Sequence, residues 1–516
     1  MRRHYFTLLA VAISSALLFS QSKLSPGIRE VLNSIAPAHL KGDLSFLASD
    51  TLLGRYTPSP GLAVAAEFIA SRFREVGLEP GGDHDYFQVA MMVDRHYPGL
   101  YANLIIQGGS ETLTIPFPDI GYYSVDRPAH IENAPVAIFT SRDPDLLKGV
   151  DLRGKAVIDP QFDYSKLSQE ESTAAQEKSR AFTKAIASSG AAIELILVRD
   201  RREVKIYSQL LPEDEAHVHS VPTLTVDNAQ LKNWLDHPNP AALRHIASFD
   251  VPGPEDIAIS VKNVIGILRG SDPSLNSTCL LLTAHYDHIG TTDTAGRMAM
   301  PTRGKYTQDH IYNGANDDGS GTVSVIEIAR ALARLNPHPK RSIVFIAFFG
   351  EERGERGSQY YASHPVFPIA KTIADVNLEQ VGRTDSNTGR NLNSASLTGF
   401  DYSDVTKFLQ EAGRQTGINV YLDKEASDAY FTRSDNEALA RFGIPAHSLT
   451  VAFDFPDYHG LGDEWQKIDY DNMARVDRMI ALGLIEMANS PRAPGWNAQN
   501  PKTAPFREAQ QKSQRP

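Results

Sequence analysis

Apolar positions along this chain follow two periods, and the changes between them mark out its parts. Leu62, Ala65, Ile69, Phe73 and Val76 fall at helical spacing with Phe68 beside them, and Gly77 and Pro80 close the run, so an amphipathic helix is expected. The preceding AHLKGDLSFLASDTLLGR reads as a helix followed by a loop. From Tyr101 the pattern shortens. YANLIIQG, PVAIFT, GKAVIDP, AIELILVRD and VPTLTV are brief apolar runs that predict strands, with one long polar helical segment from about Gln169 to Ser189 among them. NVIGILRG, from Asn263 to Gly270, returns to the pattern of the first strand. Beyond it come buried-strand runs: CLLLTAH from Cys279, RSIVFIAFF from Arg341, KTIADVNL from Lys371, and Ala446 to Val451. Helical patterns alternate with them: TVSVIEIARALARL, SQYYASH, Asp404 to Thr416, and about Asp471 to Ala488. Such alternation predicts an α/β fold with a mixed, mostly parallel sheet sandwiched by helices. The strand-rich block inside it reads as a small β-rich inserted domain. The expected partition is a signal peptide over 1–22, the main domain over 23–125 and 241–490, the insertion over 126–240, and a disordered tail over 491–516.

Composition narrows the class. A chain of 516 residues calls for more than one domain, and a hydrophobic fraction of 41% supports sizeable cores. The net charge of -11 argues against general nucleic-acid binding, which needs a basic footprint. Cys279 is the single cysteine, so no intramolecular disulfide framework exists; at the start of a strand pattern it reads as packing rather than nucleophile. At the amino terminus, basic MRRH precedes an apolar core from Phe6 to Phe19, short for a membrane span, and Ser20-Gln21-Ser22 offers a small-x-small cleavage site. Export to the periplasm or the exterior is expected, with no stable membrane anchor after cleavage.

Candidate chemistry collects where strands end. CLLLTAHYDHIG delivers His285 and Asp287 to the C-terminal end of a buried strand, where open α/β sheets keep their ligand crevices. Strand alternation would point both side chains the same way. NGANDDGSGT places Asp317 and Asp318 at the entrance to a helix; the next strands end at Glu351-Glu352 and at Glu379. A loop after the last strand carries Asp457, Tyr458, His459 and Asp463. Each feature alone has an ordinary reading: a hydrogen-bonded pair, a turn before a helix cap, a solvated acidic turn, a structural histidine. Gathered at one sheet edge, imidazoles and carboxylates suit a divalent metal.

TAHYDHIG, NGANDDGSGT, AFFGEERGERGS, VNLEQVGR, SDNEALARFGIP (Ser434 to Pro445) and YHGLGDEWQKID follow one another as in the co-catalytic two-zinc exopeptidases. The catalytic part of the chain resembles that family, which includes aminopeptidase Y, bacterial secreted leucyl aminopeptidases and glutamate carboxypeptidase. LASDTLLGR and the helix after it resemble the family's N-terminal segment. The resemblance implies the zinc exopeptidase (phosphorylase/hydrolase-like) fold and two Zn2+ per chain, with His285 and Glu379 on one, Glu352 and His459 on the other, and Asp317 bridging. It further implies Glu351 as general base, Asp287 as the partner that fixes the His285 ring, and a cis peptide between Asp317 and Asp318. Tyr458 is a candidate for hydrogen bonding the oxyanion, a structural tyrosine being the plainer reading. Two positions depart from the family: Glu379 stands where Asp is most frequent, and Asn436 where many relatives have His, in a region that lines the family's substrate pocket. In the insertion, LRGKAVIDP, SSGAAIELILV and VPTLTV followed by NAQLKNWL resemble the protease-associated (PA) domain, and no ligand cluster is present there. Its removal is therefore expected to spare turnover. The implied function is an exported zinc exopeptidase acting on peptides, in the first place an aminopeptidase. A carboxypeptidase of the same family, a glutaminyl-cyclase-like acyltransferase with one zinc, and a receptor-like non-catalytic homologue are the alternatives.

Overall fold

A computed structural model describes residues 24–108, 111–161, 169–198, 208–216, 220–237, 245–295, 298–300, 308–386 and 389–514. The expected signal peptide lies outside them. Four parallel strands form the middle of the main sheet. Cys279–His285 runs between Ser342–Phe348 and Thr372–Leu378, and Ala446–Thr450 lies beyond the latter. Every residue of Cys279–His285 and Ser342–Phe348 is buried, which explains their unbroken apolar runs: both faces of the sheet are covered. Leu280, Leu282 and Ala284 face a core shared with the helices Pro60–Glu75, Gly321–Leu332 and Tyr470–Asn489. Leu281, Val344 and Ile346 face the opposite core, closed by Tyr361 and Leu439 from the helices Arg356–Ser363 and Asn436–Arg441. Antiparallel strands Glu255–Leu268 and Phe87–His96 extend the sheet on one side, and Ser394–Leu397 with Asn419–Tyr421 on the other. The helix predicted from Leu62 is Pro60–Glu75, with Pro at its start and the Ser59 hydroxyl accepting from the Leu62 amide.

A second, eight-stranded sheet has its own core, built on Leu104, Ile158, Leu195, Leu224 and Phe249. Its edge strands correct the expected insertion boundaries at 126 and 240. Leu104–Gly108 and Glu111–Ile115 pair within this sheet, and Ile246–Val251 pairs with both Leu104–Gly108 and Ala129–Ile138. The short apolar run at Leu104 looks like a main-sheet strand, but its hydrogen-bonding partner lies in the second unit. That unit is also not free of the first. Ser208–Pro212 returns from it to pair with Phe87–His96, and Leu210 joins the main core. Excising the insertion would therefore also strip this edge strand from the main sheet.

The tail is a second correction. Residues Ala504–Ser513 are helical, and Trp496 anchors the segment by donating its indole N–H to the Gly443 carbonyl at 2.9 Å and stacking on Phe506. Two aromatic side chains supply the burial that the polar composition of the tail conceals. Among the described residues, no helix is long and apolar enough to cross a membrane.

Candidate metal centre

The C-terminal ends of the parallel strands bring His285, Asp317, Glu351, Glu352, Glu379 and His459 to one place. His285 is the last residue of its strand and is wholly enclosed. Its Nδ1 lies 3.2 Å from the Asp287 carbonyl, an atom that can only accept, so Nδ1 carries the hydrogen and Nε2 faces inward. His459 is arranged in the same way: its Nδ1 donates to the Met298 carbonyl at 2.9 Å. Asp317 spans the two rings. Its Oδ1 is 3.4 Å from His285 Nε2 and its Oδ2 is 3.1 Å from His459 Nε2. Glu379 Oε1 is 3.7 Å from His285 Nε2, and Glu352 Oε1 is 3.3 Å from His459 Nε2.

These contacts test whether metal belongs here. With Nδ1 donating, each Nε2 of a neutral ring presents a lone pair to carboxylate oxygens, acceptor against acceptor, and only a cation or a proton can lie between them. Asp317 Oδ2 is buried without a hydrogen-bond partner. Two sets of ligand atoms lie within 4.8 Å of one another: His285, Asp317 and Glu379; and His288, Asp317, Glu352 and His459. Nitrogen and oxygen donors of this kind suit Zn2+. The same electrostatics appear as proton affinities. Burial works against the His459 cation, but Glu352 and Asp317 outweigh it and raise the ring to about 12. Burial likewise opposes the Asp317 carboxylate, yet the His285 and His459 rings beside it hold it well below the usual range.

Glu351 stands apart from the ligands. Its side chain is 16% exposed, against 11% for Glu379, 6% for Glu352 and 4% for Asp317, so it is the most open of the four. Burial, with Glu379 and Glu352 close by, pushes it well above the ordinary carboxylate range despite the pull of His285. Asp287 lies beside the His285 ring with both its carbonyl and its carboxylate. Its carboxylate is 3.5 Å from His285 Nδ1, whereas Oδ1 accepts the Glu351 backbone N–H at 3.1 Å and Oδ2 accepts the Thr57 hydroxyl at 3.0 Å. Asp287 thus fixes the ring through its carbonyl and the Glu351 backbone through its carboxylate. Tyr458 stacks on His459, with ring centroids 4.0 Å apart. Asp318 is not among the ligand groups: its Oδ1 accepts from the Gly321 and Gln380 amides and so ties the helix entrance to the loop after Glu379. The peptide between Asp317 and Asp318 is cis.

His288 and Arg55 escaped the sequence reading, and Asp463 was read there only as part of a candidate loop. His288 donates through Nδ1 toward Glu352 Oε1 at 2.8 Å, and Gly314, at φ 56°, leaves room for its ring. Asp463 accepts the backbone N–H groups of Asn316 and Asp317, which aims the bridging residue. Arg55 is fully buried and spends its guanidinium on the carbonyls of Leu47, Tyr286, Asn313 and Gly314. The adjacent HYDH letters were the only available sign of His288. For Arg55 and Asp463 the partners are far off in sequence. Cys279 is buried, and burial raises its thiol to about 12, in keeping with packing.

The strand ends of the main sheet thus carry two groups of candidate metal ligands. Residues 263–483 match the model of Peptidase family M28. A probable zinc metalloprotease of Pyrenophora teres f. teres (strain 0-1) is 27% identical over 253 residues, which is 46% of this chain and 50% of that protein. A vacuolar membrane protease of Tuber melanosporum (strain Mel28) is 27% identical over 225 residues, 42% of this chain and 20% of that one. The chain thus spans half or less of the length of these curated relatives. Among solved structures, an aminopeptidase from Aneurinibacillus sp. strain AM-1 shares the fold, with a TM-score of 0.57 and 20% identity over 91% of this chain and 97% of that one.

Proposed function

We propose that the protein is an exported two-zinc aminopeptidase. The observation that carries this reading is Asp317, whose two oxygens face two inward-pointing imidazoles on opposite sides. His285 and Glu379 would hold one zinc, Glu352 and His459 the other, and Asp317 both. Zinc bound there would make a water more acidic and polarise the scissile carbonyl. Glu351 takes the proton of the attacking water and passes it to the departing amine. Its raised proton affinity suits both halves of that task, and the Asp287 carboxylate holds its backbone in place. Tyr458, whose ring stacks on His459, would donate to the developing oxyanion.

Charge favours the amino end of a peptide. The site gathers Asp287, Asp317, Asp318, Glu351, Glu352, Glu379 and Asp463, while the nearby cations are already engaged. Arg55 is spent on four carbonyls, and Arg353 on the Thr57 carbonyl and Asp94. With both arginines engaged, neither is available to hold the terminal carboxylate of a substrate. The name of the Aneurinibacillus enzyme points the same way. A one-metal acyltransferase would leave one of the two ligand groups without a role. The test is a panel of aminoacyl and carboxy-terminal substrates with zinc content measured on the same sample. Cleavage of aminoacyl substrates with two zincs bound is expected; cleavage confined to carboxy-terminal substrates would overturn the assignment.

A further inference from the structure

Glu379 and Asn436, the two positions that depart from the common family pattern, are joined by one hydrogen-bond chain. Asn436 is wholly buried and lines no surface a substrate could reach. Its Nδ2 donates to the Phe431 carbonyl at 3.0 Å, and its Oδ1 accepts from Ser448 Oγ at 2.8 Å. Asn377 Nδ2 lies 3.0 Å from Ser448 Oγ and 2.9 Å from Ser434 Oγ, and Ser434 Oγ lies 2.5 Å from Glu379 Oε1.

The direction of every bond in this chain follows from its ends. A backbone carbonyl only accepts, so Asn436 must turn its nitrogen to Phe431 and its oxygen to Ser448. The single hydroxyl hydrogen of Ser448 is then spent on Asn436, and the contact with Asn377 must be donated by the Asn377 amide. The other hydrogen of that amide goes to Ser434. On its far side Asn377 Oδ1 lies 2.9 Å from the Thr283 hydroxyl, whose one hydrogen also faces Asp375 Oδ1 at 3.0 Å, so it is the Ser448 contact that sets the orientation. Ser434, already accepting, has one hydrogen left and Glu379 as its acceptor. A glutamate has one more rotatable bond than the aspartate usual at this position, and a fixed donor removes that added freedom before metal binds.

We propose that Ser434 is a positioning residue that tethers Glu379 for the metal, and that Asn377, Ser448 and Asn436 impose the direction of its hydrogen bond. The inference rests on the reading of Glu379 as a ligand. Zinc affinities of the full chain, measured by chelator competition, test it in Ser434→Ala, in Ser434→Thr, which keeps the hydroxyl, and in Asn436→Asp, which replaces the amide donor with oxygen. Groups that orient a ligand are typically worth about 10–100-fold in metal affinity, so Ser434→Ala should lose that much at one site and nothing at the other. Ser434→Thr should recover most of the loss, and Asn436→Asp should weaken the same site. Wild-type affinity at both sites in Ser434→Ala, or an equal loss at both, overturns the proposal. Should the alanine variant fail to fold, Ser434→Cys, a weak donor of similar size, is measured with the same outcomes. A wild-type chain that binds two zincs and cleaves nothing would overturn the proposed function and leave the Ser434 test standing.

Discussion

In the smaller unit Asp159 and Glu194 lie inside the strands Ala156–Pro160 and Ile193–Leu197, whereas in the main unit the acids of the site stand at or beyond strand ends. Both units are centred on four parallel strands with antiparallel neighbours, and both bury carboxyl groups. What neutralises those groups differs. Arg142 reaches Glu194 Oε1 at 3.1 Å and Asp159 Oδ1 at 3.4 Å, and the Thr223 hydroxyl donates to Glu194 Oε2 at 2.9 Å. Arginine keeps its charge and has no lone pair to offer, so this group gives a metal no nitrogen ligand. In the main unit imidazoles face the acids, and a neutral imidazole can give its lone pair to a cation. Burial of acid thus produces a structural ion pair in one sheet and a ligand set in the other.

Replacing Glu351 by Gln should break the chemistry of the main unit with the largest effect. The amide keeps the size of the side chain but cannot accept the proton, so kcat should fall by about 10²–10⁴-fold with both zincs retained. Near-normal kcat in a two-zinc Glu351→Gln enzyme would end the mechanism. In the smaller unit, Arg142→Met leaves Asp159 and Glu194 without their cation. Removing one partner of a buried pair costs about 3–5 kcal/mol, so denaturant unfolding of that unit should shift accordingly while zinc content stays unchanged. Loss of zinc in parallel would mean that the two units are not separable in this way.

His447 offers a pH test within the main sheet that involves no ligand. Its Nδ1 donates to the Thr398 carbonyl and its Nε2 accepts from the Ser403 hydroxyl, and burial lowers the ring from 6.5 to about 4. A neutral ring therefore favours the fold fully above pH 6.5, and that contribution is lost as the pH falls toward 4. At 1.36 kcal/mol per unit this amounts to about 3 kcal/mol. The stability difference between wild type and His447→Gln, from urea melts across this window, should shrink toward acid; a constant difference would show that the ring does not titrate there. The smallest effect per group is expected from a single metal site. Zinc at 100 times its Kd stabilises the folded state by about 2.7 kcal/mol for each site it fills, so chelation should lower the melting transition of the main unit and spare that of the smaller one. Equal shifts in both would undo the comparison.

Much of the main unit was legible in the sequence because its signals are local. Strand runs at Cys279, Ser342 and Thr372, and the helix from Pro60, follow from side-chain period alone. Errors arose where a local pattern has more than one possible partner. Leu104–Gly108 could join either sheet, and Trp496 and Phe506 were hidden in a polar tail. Asn436 looked like a pocket residue until its burial between Ser448 and Phe431 was seen.

The sequence by itself determined that His285, Glu351, Glu352 and Glu379 reach one edge, because strand periodicity fixes where each apolar run stops. Only the tertiary structure decided which atoms meet there. His285 Nδ1 lies 3.2 Å from the carbonyl of Asp287 and 3.5 Å from its carboxylate, and Arg55 crosses 231 positions to reach Tyr286. Ser434 crosses 55 to reach Glu379. A hydrogen bond requires two atoms within about 3 Å at a favourable angle, and no period along the chain sets that distance for residues so far apart.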